Sequence, residues 1–102
     1  MESNLREYEV VRQWVHGTGE KRLIYRVIRS RIHSEELEGV TTFGVEIVDC
    51  ASEERSMLAD ISPNCEAVLL FAGRCSRLEV LPAHLPDVAE DFLAEQYGGL
   101  AH

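Results

Sequence analysis

His84, Asp87 and Asp91 stand three and four residues apart in a chain of 102 residues, a spacing that turns side chains toward one face of a helix. An imidazole and two carboxylates in that arrangement offer nitrogen and oxygen ligands to a divalent metal. A closed metal site ordinarily takes about four protein ligands, and no second cluster of histidine or cysteine accompanies these three. Asp87 also suits the first turn of a helix, where the helix dipole favours an anion, and Asp91 continues an acidic face with Glu90 and Glu95. The three residues are therefore the candidate metal ligands, while the expectation is that the protein holds no metal and no other cofactor.

The remaining chemistry-bearing residues point the same way. Gly17-Thr18-Gly19-Glu20-Lys21 has the glycines of a phosphate loop but not the spacing, and a strand pattern follows it where a phosphate-cradling helix would be required. A hairpin turn accounts for both glycines. His16, His33, His84 and His102 fall in turns, at element ends or at the terminus, and no serine and acid can be assembled around one of them. Among Cys50, Cys65 and Cys75, only Cys75 has the basic neighbours of an activated thiol, Arg74 and Arg77. The cysteines fit no CxxC motif, and their odd number without an apolar leader is expected of free thiols in a reducing cytoplasm. On one helix, Cys65 and Cys75 would be rotated by about 280° from each other, so no disulfide joins them. No catalytic residue is expected.

The elements that must position these residues follow from a change of hydrophobic period near Ser62. Before it, stretches such as 42–49 alternate every second residue; after it, Cys65, Val68, Leu69 and Ala72 recur at helical spacing, as do Leu85, Val88, Ala89, Phe92 and Leu93. The pattern predicts an α+β domain spanning 1–102: an antiparallel meander of three to four strands, then two C-terminal helices packed on one face of the sheet. Strands are expected over 6–15, 21–33 and 40–49, with a fourth over 56–61. A hairpin at Gly17 and Gly19 joins the first two, and the acidic residues 34–39 turn into the third. Ser62 is expected to cap a first helix running to about residue 76, with Pro63 at its first position. The second helix is expected to start at Leu85 or Pro86 and to end at Gly98-Gly99, before a frayed tail. Tyr8 and Trp14, an even number of residues apart, are expected on one sheet face, where Tyr25 and Phe43 meet them as core.

Composition restricts the partners. With 10 Lys and Arg against 18 Asp and Glu, the net charge is −8, the wrong sign for a protein that neutralises phosphates. The one basic island, from Lys21 to Arg31 in the second strand, faces acids of neighbouring strands, Glu7, Glu9, Glu46 and Asp49, and cross-strand ion pairs are expected there. The longest apolar run, 67–73, is far short of the ~20 residues that span a bilayer. These observations argue against nucleic-acid and membrane partners.

The first helix carries a second apolar stripe, Ala67, Leu70 and Phe71, beside the one that faces the sheet. Either the second helix covers it, through Phe92 and Leu93, or these residues meet another chain, in a homodimer or with a protein partner.

Residues 40–47 (Val40-Thr41-Thr42-Phe43-Gly44-Val45-Glu46-Ile47), Asp60-Ile61-Ser62 and the Pro-bounded segment from Leu81-Pro82-Ala83-His84 to Phe92-Leu93 resemble a domain-of-unknown-function family of short proteins from clostridia-like Firmicutes. The resemblance covers roughly 25–93 and implies a cytoplasmic bacterial protein of about this size. It brings no catalytic residue to carry over. Two functional expectations result. The first is a small cytoplasmic interaction or regulatory module without catalysis, self-associating or bound to a protein partner through the outer stripe of the first helix or an exposed sheet edge. The alternative is a small-molecule or divalent-metal-binding domain with its site near His84 and Asp87.

Overall fold

Residues 5–33 and 39–98 are described by a computed structural model. Strands β1 (Leu5–His16), β2 (Leu23–His33), β3 (Val40–Asp49) and β4 (Glu54–Ser62) precede helices α1 (Cys65–Arg77) and α2 (Leu85–Gly98). The strands form one antiparallel sheet in the order β1-β2-β3-β4, and both helices pack on the same face of it. This is the α+β meander that the change of period requires. Residues 34–38 and 99–102, read above as a turn and as a helix end with its tail, lie outside the described residues.

The β1–β2 hairpin turns at Gly17, whose φ of 86° belongs to the left-handed region. A Cβ there would also stand 2.5 Å from the carbonyl oxygen of Lys21, so only glycine fits. On the helix face, Tyr25, Val27, Val45 and Ile47 of the central strands meet Val68, Phe71, Ala72 and Cys75 of α1 and Leu85, Ala89 and Phe92 of α2. The rings of Phe71 and Phe92 pack at 4.8 Å between centroids, tilted by 30°.

Two irregularities reshape the sheet. Val10 pairs with Ile28 but Arg12 with Val27, so Val11 is an extra residue and β1 carries a bulge. The bulge inverts the facing of everything before it. Trp14 lies opposite Tyr25 on the helix face, whereas Tyr8 lies opposite Ser30 on the other face. The even spacing of Tyr8 and Trp14 therefore does not put them together. On β4, Leu58 pairs with Val45 and Ser62 with Phe43, so four steps of β4 answer two of β3. The surplus swings across the face away from the helices. There Ser30 Oγ donates to the carbonyl of Ala59 at 3.5 Å, and Thr42 Oγ1 donates to Asp60 at 2.6 Å. Gly44 lies directly beneath the detour.

The cap of helix α1 lies two residues later than expected. Asn64 is the N-cap, its side-chain oxygen accepting the N–H of Ala67 at 3.2 Å, while Ser62 Oγ accepts the N–H of Asn64 at 3.0 Å. Both side chains satisfy donors at the helix entrance, and the amide-bearing one holds the capping position itself. Pro63 therefore precedes the cap and is not the first helical residue. Among the described residues, no helix is long and apolar enough to cross a membrane.

A Cβ at Gly44 would lie 1.9 Å from the carbonyl oxygen of Leu58 and 2.6 Å from the carbonyl carbon of Ala59, both backbone. Gly44→Ala is expected to lower stability by about 3 kcal/mol or more, because the strand crossing cannot yield as a side chain would. Chemical denaturation monitored by circular dichroism measures this; a loss below about 1 kcal/mol would show that β4 does not cross so closely.

Candidate functional site

A group of polar side chains gathers at one end of the core, around the end of α1. Tyr25, wholly buried on β2, donates its hydroxyl to the carbonyl of Val80 at 2.9 Å. His16 stands edge-on to the Tyr25 ring, 5.8 Å between centroids, and its Nε2 shares a hydrogen bond of 2.6 Å with Ser76 Oγ. Cys75, next to Ser76, is wholly buried. A serine, a histidine and a cysteine are thus brought together, but Ser76 and Cys75 lie on the inward face of α1 and are closed to substrate. Burial pushes the Cys75 thiol up to about 11 against a pull downward from Arg74, the reverse of what activates a nucleophile. Burial, with Cys75, Glu79 and Asp49 adding, likewise raises Tyr25 to about 12. All three cysteines are free, Cys50 and Cys65 half-buried.

The candidate metal ligands fall on the opposite flank. His84 closes the 3-10 turn Pro82–His84, and Asp87 and Asp91 lie on α2; all three are exposed. Among the described residues, no group of three or more His, Cys, Asp or Glu side chains gathers closely enough to hold a metal ion. The hollow on this flank is lined by Pro82, Ala83 and Pro86 with Glu54, Arg55 and Ser56, not by His84 or Asp87.

Arg26 and Arg29 of β2 find acids across the strands. Arg26 pairs with Glu46 at 3.0 Å and Arg29 with Glu9, while Arg55 takes the second oxygen of Glu46 at 2.9 Å. Arg26 also donates to Gln13 at 2.7 Å, which completes a polar row across the face without helices.

Of the outer stripe on α1, the structure leaves one residue fully outside. Phe71 is 1% exposed against Phe92 and belongs to the core, so it is not available to another chain; α2 covers it. Ala67 is half-buried, and Leu70 is 74% exposed, more than any other large apolar side chain described. Beside Leu70 runs a groove of about 530 Å³ between α1 and β1, lined by Trp14 and Arg12 from the strand and Leu69, Gly73, Arg77 and Glu66 from the helix. The Arg12 guanidinium sits over the Trp14 ring, 5.0 Å from its centroid. β1 is itself an edge strand: β2 pairs with one side of it, and its exposed residues include Tyr8, Val10, Val11 and Val15. Reading by residue type passed over Arg12 and Gly73, and took Trp14 as core. Their signal was an arginine and a tryptophan two residues apart on one strand face, together with a glycine inside a helix.

The chain belongs to the family of unknown function DUF6514, which matches residues 7–95. No match was found among curated proteins or among solved structures.

Raised values for Tyr25 and Cys75 tie stability to pH with a fixed sign. In the folded protein both protons stay on where the unfolded chain, with ordinary values of 10.0 and 9.0, has lost them. Their contribution is therefore complete below about pH 9 and is lost as pH rises through 9 to 12. Denaturation at stepped pH should show stability falling over that window, and Tyr25→Phe should cost about 1–2 kcal/mol at neutral pH through the orphaned Val80 carbonyl. In thiol labelling at pH 8, Cys75 should react about 100-fold more slowly than Cys50 or Cys65. Equal labelling of all three would place Cys75 outside the core.

Proposed function

We propose that this protein is a small cytoplasmic bacterial interaction module without catalytic activity, which engages a protein partner or a second copy of itself through β1 and the outer side of α1. The observation that carries the reading is β1. It is an edge strand of 12 residues whose outer backbone edge pairs with no strand among the described residues, and Tyr8 and Val10 are 51% and 53% exposed. An edge of this length that keeps apolar side chains in water is a template for another chain. Leu70 adds an exposed apolar side chain on α1, on the opposite side of the sheet from Tyr8 and Val10. The free thiols support a reducing compartment, and family membership adds no activity to set against this reading.

The test is native mass spectrometry on the protein gently purified from its own source, with Val10→Glu and Leu70→Glu alongside. Both positions are exposed, so each variant is expected to unfold within about 0.5 kcal/mol of the parent. The expected result is a dimer or a complex with another protein that one or both substitutions dissociate. A bare monomer, a monomer carrying a metal or small molecule, or a complex indifferent to both substitutions would overturn the reading.

A further inference from the structure

Resting on that interaction reading, the geometry points to the form of the partner: an extended peptide segment, with apolar side chains and carboxylates sharing its every second position, that adds to β1 as a fifth strand and seats apolar side chains in the groove beside α1. The argument begins with the backbone. β2 satisfies one side of β1, and the N–H and C=O groups on its other side have no strand to pair with among the described residues. A strand joining there lies about 4.8 Å beyond β1, with side chains alternating between the two faces of the enlarged sheet. On the helix side, those side chains meet Trp14, Leu69 and Leu70.

The groove is open because α1 has a glycine where it passes Trp14. A Cβ on Gly73 would stand 3.8 Å from the Trp14 ring and 3.9 Å from Arg77 Nη1, ordinary contact distances, so the position tolerates a side chain and is left bare. A helix interior would be more stable with almost any other residue there, by about 1 kcal/mol against alanine. The space above Gly73 is thus kept at a cost in helix stability, and a guest side chain fits it.

Charge selects the guest. On a protein of net charge −8, this groove holds Arg12 and Arg77 against Glu66 alone, a local excess of one positive charge. Neither arginine is in an ion pair among the described residues; Arg74, one turn away, is already engaged by Glu95 at 3.1 Å. The Arg12 guanidinium, 5.0 Å over the Trp14 ring, has a fork of donors that can grip a carboxylate. The segment that matches is apolar where it enters the groove and acidic beside it.

Trp14 is the only tryptophan in the chain, so its emission reports on this groove. The probe is a capped peptide of about eight residues, long enough to span a strand, with leucine and aspartate taking turns at every second position and threonine between them. Its counterpart has lysine for aspartate. Titration calorimetry measures binding, and Trp14 emission locates it. The aspartate peptide is expected to bind saturably with a change in Trp14 emission, and its affinity should fall as salt rises. Gly73→Leu, a favourable change for the helix itself, should weaken binding at least about tenfold by filling the groove. Arg12→Gln with Arg77→Gln should weaken it several-fold and flatten the salt dependence. The proposal is overturned if millimolar aspartate peptide leaves Trp14 unchanged, if the lysine peptide binds as well, or if Gly73→Leu binds undiminished. A concentration-dependent shift of Trp14 without peptide, accompanied by dimer formation, would make a second copy the occupant instead. A native complex that Val10→Glu dissociates and Gly73→Leu leaves intact would retain the interaction reading and remove the groove from it.

Discussion

Tyr25 must fill the deepest part of the core and still find a partner for its hydroxyl, and the way it does so fixes the positions of three elements. Its ring is wholly buried on a central strand, and its only polar atom reaches the carbonyl of Val80, just beyond the end of α1. That end is closed by two backbone bonds, from the N–H of Val80 to Cys75 and from the N–H of Glu79 to Ser76, the pattern in which one residue takes the left-handed conformation. Glu79 takes it, at φ 53°, where glycine would do so at no steric cost. Phenol, helix end and turn are thus mutually dependent. The bond from His16 to Ser76 fastens β1 to the same helix end, so the edge strand is anchored at one terminus and free along its outer side.

The two faces of the sheet solve different problems. One is covered by helices and is apolar. The other has no helix, yet Ile28, Ser30 and Thr42 are buried on it, because the detour of β4 passes over the sheet at Gly44. Next to the detour, the polar row of Gln13, Arg26, Glu46 and Arg55 occupies the strip that the detour does not reach. Glu46 takes one arginine on each oxygen and Glu9 pairs with Arg29, so Arg26 and Arg29 of the basic island are matched by acids of their own sheet. The uncovered apolar side chains are consequently concentrated on β1.

How much of this could be read from residue order depends on whether the cause was local. Strand and helix periods are local, and the meander with two helices follows from them. The charge pairs of β2 followed as well, since sequential strands neighbour each other and their acids were in view. Three details were not local. Val11 is an ordinary strand residue, and only its register against β2 makes it a bulge that sends Tyr8 and Trp14 to opposite faces. Ser62 and Asn64 are both good caps, and pairing of Ser62 with Phe43 keeps it in the sheet while Asn64 is free to cap. Phe71 and Leu70 are adjacent and equally apolar, but about 100° of helix rotation turns one onto Phe92 and the other into solvent. The groove needed tertiary placement too: neither Arg12 with Trp14 nor Gly73 acquires meaning until α1 is laid beside β1.

A sheet with two edges has to protect both, and here the two are treated differently. The β4 edge is kinked by its detour, and α2 and the turn Pro82–His84 pack against that strand. Among the described residues, the β1 edge has no such cover. It carries a bulge and the charges of Glu7, Glu9 and Arg12 among its valines, devices that disfavour indiscriminate stacking of one sheet on the next without closing the edge to a chosen strand. Selectivity then requires that the chosen strand make contacts which a random one cannot. A groove alongside the edge, with a tryptophan wall, a bare glycine and two arginines in no ion pair among the described residues, supplies contacts of that kind. On the proposed reading, the bulge and charges reject strands in general, and the groove admits one in particular.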